Sequence, residues 1–308
     1  MQSTIKSPLT LSGIGLHTGK PVRMTLHSAP VDHGVVFVRT DIGGSAGVIP
    51  ATWDKVTDTR LCTVISNDQG VSVGTIEHLM AALRGCGVDN VRVEIDAPEV
   101  PILDGSAQPF VVAIEDTGRD IQTAPRRAIR VLKDIIVTDG DKEVRLSPSV
   151  IPSYTSEIHY AHPDIGIQRS SVALFNGNFK HDIADCRTFG FMKEVETLRA
   201  MGLAQGGSLE NAVVLDDNGI LNPEGLRCAD EFARHKVLDA IGDLYLAGGV
   251  LMAAYTGIKG GHALNNAVLR ALFADPSAWD RVDLFVDLDP SDTRMYAANV
   301  RPSSVSAV

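Results

Sequence analysis

In the stretch EFARHKVLDAIGD, residues 231–243, Glu231, His235, Asp239 and Asp243 recur at intervals of four. On an α-helix that spacing lines them along one face. Val237, Leu238, Ile241, Leu244 and Tyr245 fall on the other side at core-facing spacing. An imidazole and a carboxylate one turn apart, His235 and Asp239, can reach the same ion, by the geometry that lets H-E-x-x-H supply two histidines. No H-E-x-x-H occurs in the chain, and an ordinary hydrogen-bonded pair on a wet helix face is the alternative. Glu77 and His78 are a second candidate. Neighbours on a helix point about 100° apart, so both can line one cleft, although a glutamate in a solvated first turn is also favoured by the helix dipole. His262, in KGGHALNN, stands where a glycine turn enters a helix, a position suited to acid–base work and equally common for a surface histidine.

Together these residues say more than each alone. Two histidines and one aspartate make a three-ligand site with an open position, the pattern of catalytic rather than structural zinc. A nearby glutamate can take a proton from an attacking water, and a further histidine can supply an acid. Asp243, one turn beyond Asp239, can hold that histidine's other nitrogen and favour its protonated form. Glu231 finds no task in this set and is read as solvated.

The elements that must carry these residues follow from pattern. Val22, Met24 and Leu26 alternate as in a strand, and GVVFVRT follows after a turn. TIEHLMAALRGCG reads as a helix with Thr75 as N-cap and Gly85 or Gly87 as stop. VDNVRVEIDAP is a strand, and DGSAQPFVVAIEDTG a turn and helix. Residues 121–128 are polar, basic and contain a proline, which suits a linker; the strands after it turn at Asp139-Gly140. Residues 193–222 look like an inserted α/β unit. RHKVLDAIGDLYLAGG, VLMAAYTG and GGHALNNAVLRALFA then repeat the helix–strand–turn–helix order of the first half. Strands and helices do not alternate singly, so the fold class is α+β rather than a doubly wound parallel sheet. The expected organisation is one domain over 1–120 carrying Glu77 and His78, the linker 121–128, and a second domain over 129–308 carrying His235, Asp239 and His262.

Composition narrows the function classes. The 308 residues are 44% apolar and 21% charged, with a formal net charge of −10, which argues against a general nucleic-acid surface. Cys62, Cys86, Cys186 and Cys228 are far apart and form no C-x-x-C, as in reduced cytosolic thiols. The N-terminus has no leader pattern and no run of 18 apolar residues occurs. A cytoplasmic protein without a membrane span is expected.

At these residues the sequence resembles the zinc-dependent UDP-3-O-acyl-N-acetylglucosamine deacetylases of lipid A biosynthesis in Gram-negative bacteria. The likeness runs through GIGLHTGK, TIEHLMAAL, DNVRVEIDAPEVPILDGSAQPF, RTFGFM, HKVLDAIGDL and GHALNN, in that order and across essentially the whole chain. It implies two similar domains, each a sheet packed on helices in a two-layer sandwich with small inserts. It implies one Zn2+ per chain, held by His78, His235 and Asp239, at a donor set that also accepts Fe2+. Glu77 becomes the general base and His262 the protonated acid or oxyanion partner, supported by Asp243. Thr188 would place its hydroxyl on the oxyanion, and Lys236 would sit near the anionic part of the substrate. The insert at 193–222 becomes a passage for an acyl chain, lined by Met192, Val195, Leu198 and Leu209, with ordinary core of a small α/β unit as the competing reading; Phe189 is a further substrate-binding candidate. Tyr160 aligns with an aromatic ring that stacks on uracil, and Lys142 and Lys259 are candidates for the diphosphate. The implied partner is a small UDP-sugar carrying an acyl chain, the implied reaction hydrolysis of its acetamide by a cytoplasmic monomer.

Overall fold

A computed structural model describes residues 1–175, 177–284 and the backbone of 300–302. The expected second domain, 129–308, therefore extends past the described residues. The first half runs β1 (Ser3–Ile5), β2 (Leu9–Ile14), β3 (Pro21–Ser28), β4 (Val35–Arg39), β5 (Val48–Pro50), β6 (Val56–Asp58), β7 (Val64–Ser66), β8 (Ser72–Val73), α1 (Glu77–Cys86), β9 (Val91–Ile95), α2 (Gln108–Thr117) and β10 (Arg119–Ile121). The second runs β11 (Arg126–Val131), β12 (Ile135–Asp139), β13 (Lys142–Pro148), β14 (Ser153–His159), β15 (Ile167–Ala173), α3 (Phe179–Asp182), β16 (Phe189–Phe191), α4 (Met192–Ala200), β17 (Val213–Asp216) and β18 (Gly219–Ile220). It continues with α5 (Glu231–Tyr245), β19 (Val250–Ile258), α6 (His262–Ala274), β20 (Trp279–Leu284) and β21 (Val300–Pro302).

The two halves repeat one topology. In the first, the strand order is β2-β3-β9-β4-β5, with β9 antiparallel to β3 and parallel to β4. In the second, β12-β13-β19-β14-β15 has the same order, with β19 antiparallel to β13 and parallel to β14. The flanking strands match as well. Thr4 of β1 bridges in parallel to Asn90 just before β9, as β11 runs parallel to the start of β19. β10 then pairs antiparallel with β1, as β20 does with β11. The chain is thus an α+β protein of two like sheets with helices packed against them.

Period-2 burial fixes which face of each sheet is covered. Val22, Met24 and Leu26 of β3 are buried and alternate with outward residues, as do Val144 and Leu146 of β13. The covering layer is α1 and α5, whose apolar residues Leu79, Ala82, Leu83, Leu238, Ile241 and Leu244 join one continuous core with both sheets. Between the halves, β10 ends at Ile121 and β11 begins at Arg126, whose guanidinium pairs with Asp89.

Two boundaries of α1 differ from the sequence pattern. Thr75 is not the N-cap; Ile76 takes that position, and Thr75 is held at φ 54° with its hydroxyl donating to Glu99 Oε1 at 2.9 Å. Gly85 lies inside the helix, under the ring of Phe179, where a Cβ would meet the ring at 2.0 Å. The stop is Gly87, in the left-handed region at φ 69°.

Candidate active site

α1 and α5 cross at Gly242. A Cβ there would stand 2.0 Å from the Glu77 carbonyl oxygen, so only glycine lets the first turn of α1 lie against α5. This close crossing sets Glu77 and His78 beside the α5 face that carries His235, Asp239 and Asp243. None of the five is more than 4% exposed, which sets aside the wet-helix readings of both motifs.

His78 Nε2 lies 3.6 Å, and His235 Nε2 3.3 Å, from Asp239 Oδ1. One donor atom from each of the three residues lies within 4.8 Å of the other two. Zinc bonds to nitrogen and oxygen of about 2.0–2.1 Å give a tetrahedron with edges of about 3.3–3.4 Å, so the two edges that meet at Asp239 are close to those a divalent ion requires. Asp239 Oδ1 is buried without a hydrogen-bond partner, a costly state for a carboxylate oxygen unless a cation faces it. His235 is bound at its other nitrogen, where Nδ1 meets the Cys186 carbonyl at 3.1 Å; with the proton there, Nε2 keeps its lone pair for an ion. Burial pushes His235 down to about 3, against the pull of Asp239, so the imidazole is neutral. Burial alone would push Asp239 up, but its charged and hydrogen-bonding neighbours, Lys236 and His78 among them, outweigh it and hold the carboxyl well below its usual range. A neutral imidazole and an ionised carboxylate are the forms that bind metal.

Around the triad stand further titratable groups. Glu77 Oε2 accepts the Thr63 N–H at 3.0 Å. Burial raises its carboxyl above the ordinary range, although His262 and His78 oppose the shift. His262, the first residue of α6, donates from Nδ1 to Asp243 Oδ2 at 2.8 Å. Burial alone would lower this imidazole, but the charge and hydrogen bond of Asp243, with Glu77 beyond, raise it to about 9. Asp243 is held in turn by the Thr63 hydroxyl at 2.5 Å and the Asn265 amide at 2.8 Å, and Tyr255 donates to Asn265 at 2.7 Å.

The other expected residues fall into two groups. Lys236 donates to Asp239 Oδ2 at 2.8 Å and lies 5.6 Å from the centroid of the Phe189 ring. The Phe189 ring is 6.4 Å from His235 and 5.6 Å from Tyr160, so Tyr160, Phe189 and Lys236 form one wall leading to the triad. Thr188, half-buried at the head of that wall, is tied by its N–H to the Gly105 carbonyl of the first half at 2.9 Å. Met192, Val195 and Leu198 lie on α4, which has no buried residue, and Leu209 is 40% exposed; α4 is not the core of a small unit. Lys142 and Lys259 instead face acidic residues at the β12–β13 hairpin, Asp139 at 3.6 Å and Asp141.

Glu231 is a correction. Read as solvated, it is fully buried and ion-paired with Arg187. Thr63, Asn265, Tyr255 and Arg187 were not picked out from the sequence. Asn265 lies within the GHALNN motif and Arg187 opens the RTFGFM motif; Thr63 carries no local signal, since its partner Asp243 lies 180 residues away.

Residues 2–274 match a family model described as UDP-3-O-acyl N-acetylglycosamine deacetylase. The UDP-3-O-acyl-N-acetylglucosamine deacetylase of Phenylobacterium zucineum is 51% identical over 286 residues, 93% of this chain and 97% of that protein. Those of Shewanella baltica and Shewanella oneidensis are each 46% identical over 290 residues, 94% of both chains. No helix among the described residues is long and apolar enough to cross a membrane.

Proposed function

Because the chain belongs to the UDP-3-O-acyl N-acetylglycosamine deacetylase family, we propose that it is a zinc-dependent amidohydrolase in lipid A biosynthesis. Its substrate is a UDP-3-O-(3-hydroxyacyl)-N-acetylglucosamine, which it converts to the free amine and acetate as the committed step. The buried triad of His78, His235 and Asp239, with an orphaned carboxylate oxygen at its centre, carries this reading. Three protein donors leave a position open, as chemistry on a bound substrate requires. Zn2+, or Fe2+ in the same donor set, would supply Lewis acidity toward the amide carbonyl and toward a water.

The chain's own groups divide the proton work. Glu77, whose carboxyl burial raises above the ordinary range, accepts the proton of the attacking water. Attack puts negative charge on the former carbonyl oxygen. His262, kept cationic by Asp243, and the Thr188 hydroxyl stabilise that charge as fixed donors that need no reorganisation. The leaving nitrogen must gain a proton before the C–N bond breaks, and His262 and Glu77 are the two groups able to return one. Lys236 meets the anionic part of the substrate, with Tyr160 against the uracil, Lys142 and Lys259 toward the diphosphate, and Phe189, Met192, Val195, Leu198 and Leu209 along the acyl chain. Four free cysteines, three of them buried, suit a reducing cytoplasm, and the functional unit is a monomer.

Acetate release from the acylated UDP-sugar is the test, with the purified chain, with chelator, and after zinc is restored. Activity that chelator abolishes and zinc restores is expected, with one zinc per chain by elemental analysis. Chelator-insensitive activity, or a chain that retains no metal, overturns the reading. Comparing the substrate with its analogue lacking the O-acyl chain separates this activity from a general sugar deacetylase.

A further inference from the structure

The first turn of α5 holds a charged group that the chemistry above does not use. Glu231 is wholly buried and Arg187 is 2% exposed. Glu231 Oε1 accepts from the Arg187 backbone N–H at 3.0 Å and from its Nε at 2.9 Å. Oε2 accepts from the same guanidinium at 3.1 Å and from the Arg227 N–H at 2.7 Å. The remaining Arg187 donors go to Glu224 at 2.6 Å and the Gly225 carbonyl at 2.7 Å. A buried ion pair is weak evidence of a stability role, because desolvation cancels much of its attraction. Its place in the chain points elsewhere. Glu231 lies one turn before His235, and Arg187 lies between Cys186, whose carbonyl meets His235 Nδ1, and Thr188.

We infer that Glu231 and Arg187 are a positioning pair that locks residues 186–188 along α5, fixing through Cys186 the tautomer and bearing of His235 and through the chain the placement of the Thr188 hydroxyl. The inference deepens the deacetylase reading and, for its effect on turnover, rests on it. The carboxylate grips both the backbone and the side chain of Arg187, so the segment can neither slide along nor rotate about its axis without breaking a charge-assisted bond. If it shifts, the Cys186 carbonyl leaves His235 Nδ1, and the imidazole is free to turn its lone pair away from the triad. Outer-shell partners of this kind carry about 10- to 100-fold in metal affinity or activity.

The test is the double variant Arg187→Met with Glu231→Leu, which replaces the buried pair by apolar side chains and leaves only one charge without its partner, that of Glu224, whose side chain is 54% exposed. Replacement of this sort is often neutral for stability, so melting of the metal-free protein within a few degrees of wild type is expected. Zinc loss to EDTA should be about 10- to 100-fold faster, and kcat on the acylated UDP-sugar lower by a similar factor with KM nearly unchanged. In metal-free protein the His235 Nδ1–H proton, held by the Cys186 carbonyl, should exchange slowly in wild type by NMR and much faster in the variant. Should the double variant not fold, Glu231→Gln, which keeps shape and one acceptor oxygen, provides the same measurements with smaller changes in the same direction. Wild-type zinc retention, kcat and proton exchange in a folded variant would overturn the inference. If wild type itself binds no zinc and releases no acetate, the deacetylase reading fails instead, and the proton exchange still decides whether the pair orients His235.

Discussion

Gly242→Ala tests whether the close crossing of α1 and α5 builds the site. In a helix interior, glycine to alanine is ordinarily worth about 0.5–1 kcal/mol of added stability. Here the new methyl carbon would meet the Glu77 carbonyl oxygen at 2.0 Å and the Ala81 nitrogen at 3.1 Å. Relief to an ordinary contact of about 3.4 Å requires α1 to retreat by roughly 1.4 Å. The retreating turn carries both Glu77 and His78, and metal–ligand distances tolerate only about 0.2 Å. Overpacking costs about 1–3 kcal/mol, which reverses the sign of the usual substitution. The expected outcome is a lower melting temperature, sub-stoichiometric zinc and a loss of at least about 100-fold in kcat/KM, the scale of an ångström-sized misplacement. Thermal melts with and without EDTA, elemental analysis and steady-state kinetics measure all three. A variant that melts higher than wild type, binds one zinc and turns over normally would refute the reasoning, because the contact would then have to be slack.

Further outcomes are expected at the titratable groups and on α4. Glu77→Gln should retain zinc while kcat falls by about 10²–10⁴-fold, the usual weight of a positioned base; full activity with metal bound would remove Glu77 from that role. The pH profile should be bell-shaped, with its acid limb above the ordinary carboxylate range because burial raises Glu77, and its alkaline limb near the value of about 9 at which His262 loses its proton. The raised imidazole also predicts that His262 contributes stability to the metal-free protein in full below its unfolded value near 6.5, and that this contribution is lost as pH rises toward 9. Asp243→Asn should shift the alkaline limb to lower pH and flatten that part of the melting curve, with zinc content unchanged; loss of zinc would make Asp243 a ligand. Leu198→Glu, on the helix without buried residues, should leave stability within about 0.5 kcal/mol and raise KM for a long-chain substrate more than for its analogue without the acyl chain. Equal effects on both would detach α4 from the acyl chain.

What could be read from the sequence was local or periodic. His235 and Asp239 announce themselves because a four-residue spacing fixes one helix face regardless of tertiary context, and the repeated helix–strand–turn–helix order reappears as two sheets of the same strand order. The failures are equally physical. Spacing put Glu231 on the polar stripe but could not say that the stripe dips into the protein at that end, since the cation that compensates it comes from a loop before β16. Threonine favours the N-cap in general, yet the Thr75 hydroxyl is taken by a buried glutamate 24 residues on, and its backbone is turned to a conformation a cap does not use. Nothing local marks Thr63; its place between Glu77 and Asp243 exists only once the halves have docked.

The triad draws His78 from one repeat and His235 with Asp239 from the other, so neither half alone can form it. An ion held there would be a clasp as well as a reagent. At a concentration a hundred times its dissociation constant, a ligand that needs both halves together favours the docked state by about 2.7 kcal/mol. The relation runs both ways: whatever pries α1 from α5 releases the ion, and withdrawing the ion loosens the seam. Co-expressed as two separate polypeptides, the halves should therefore reassemble more tightly with zinc than without it.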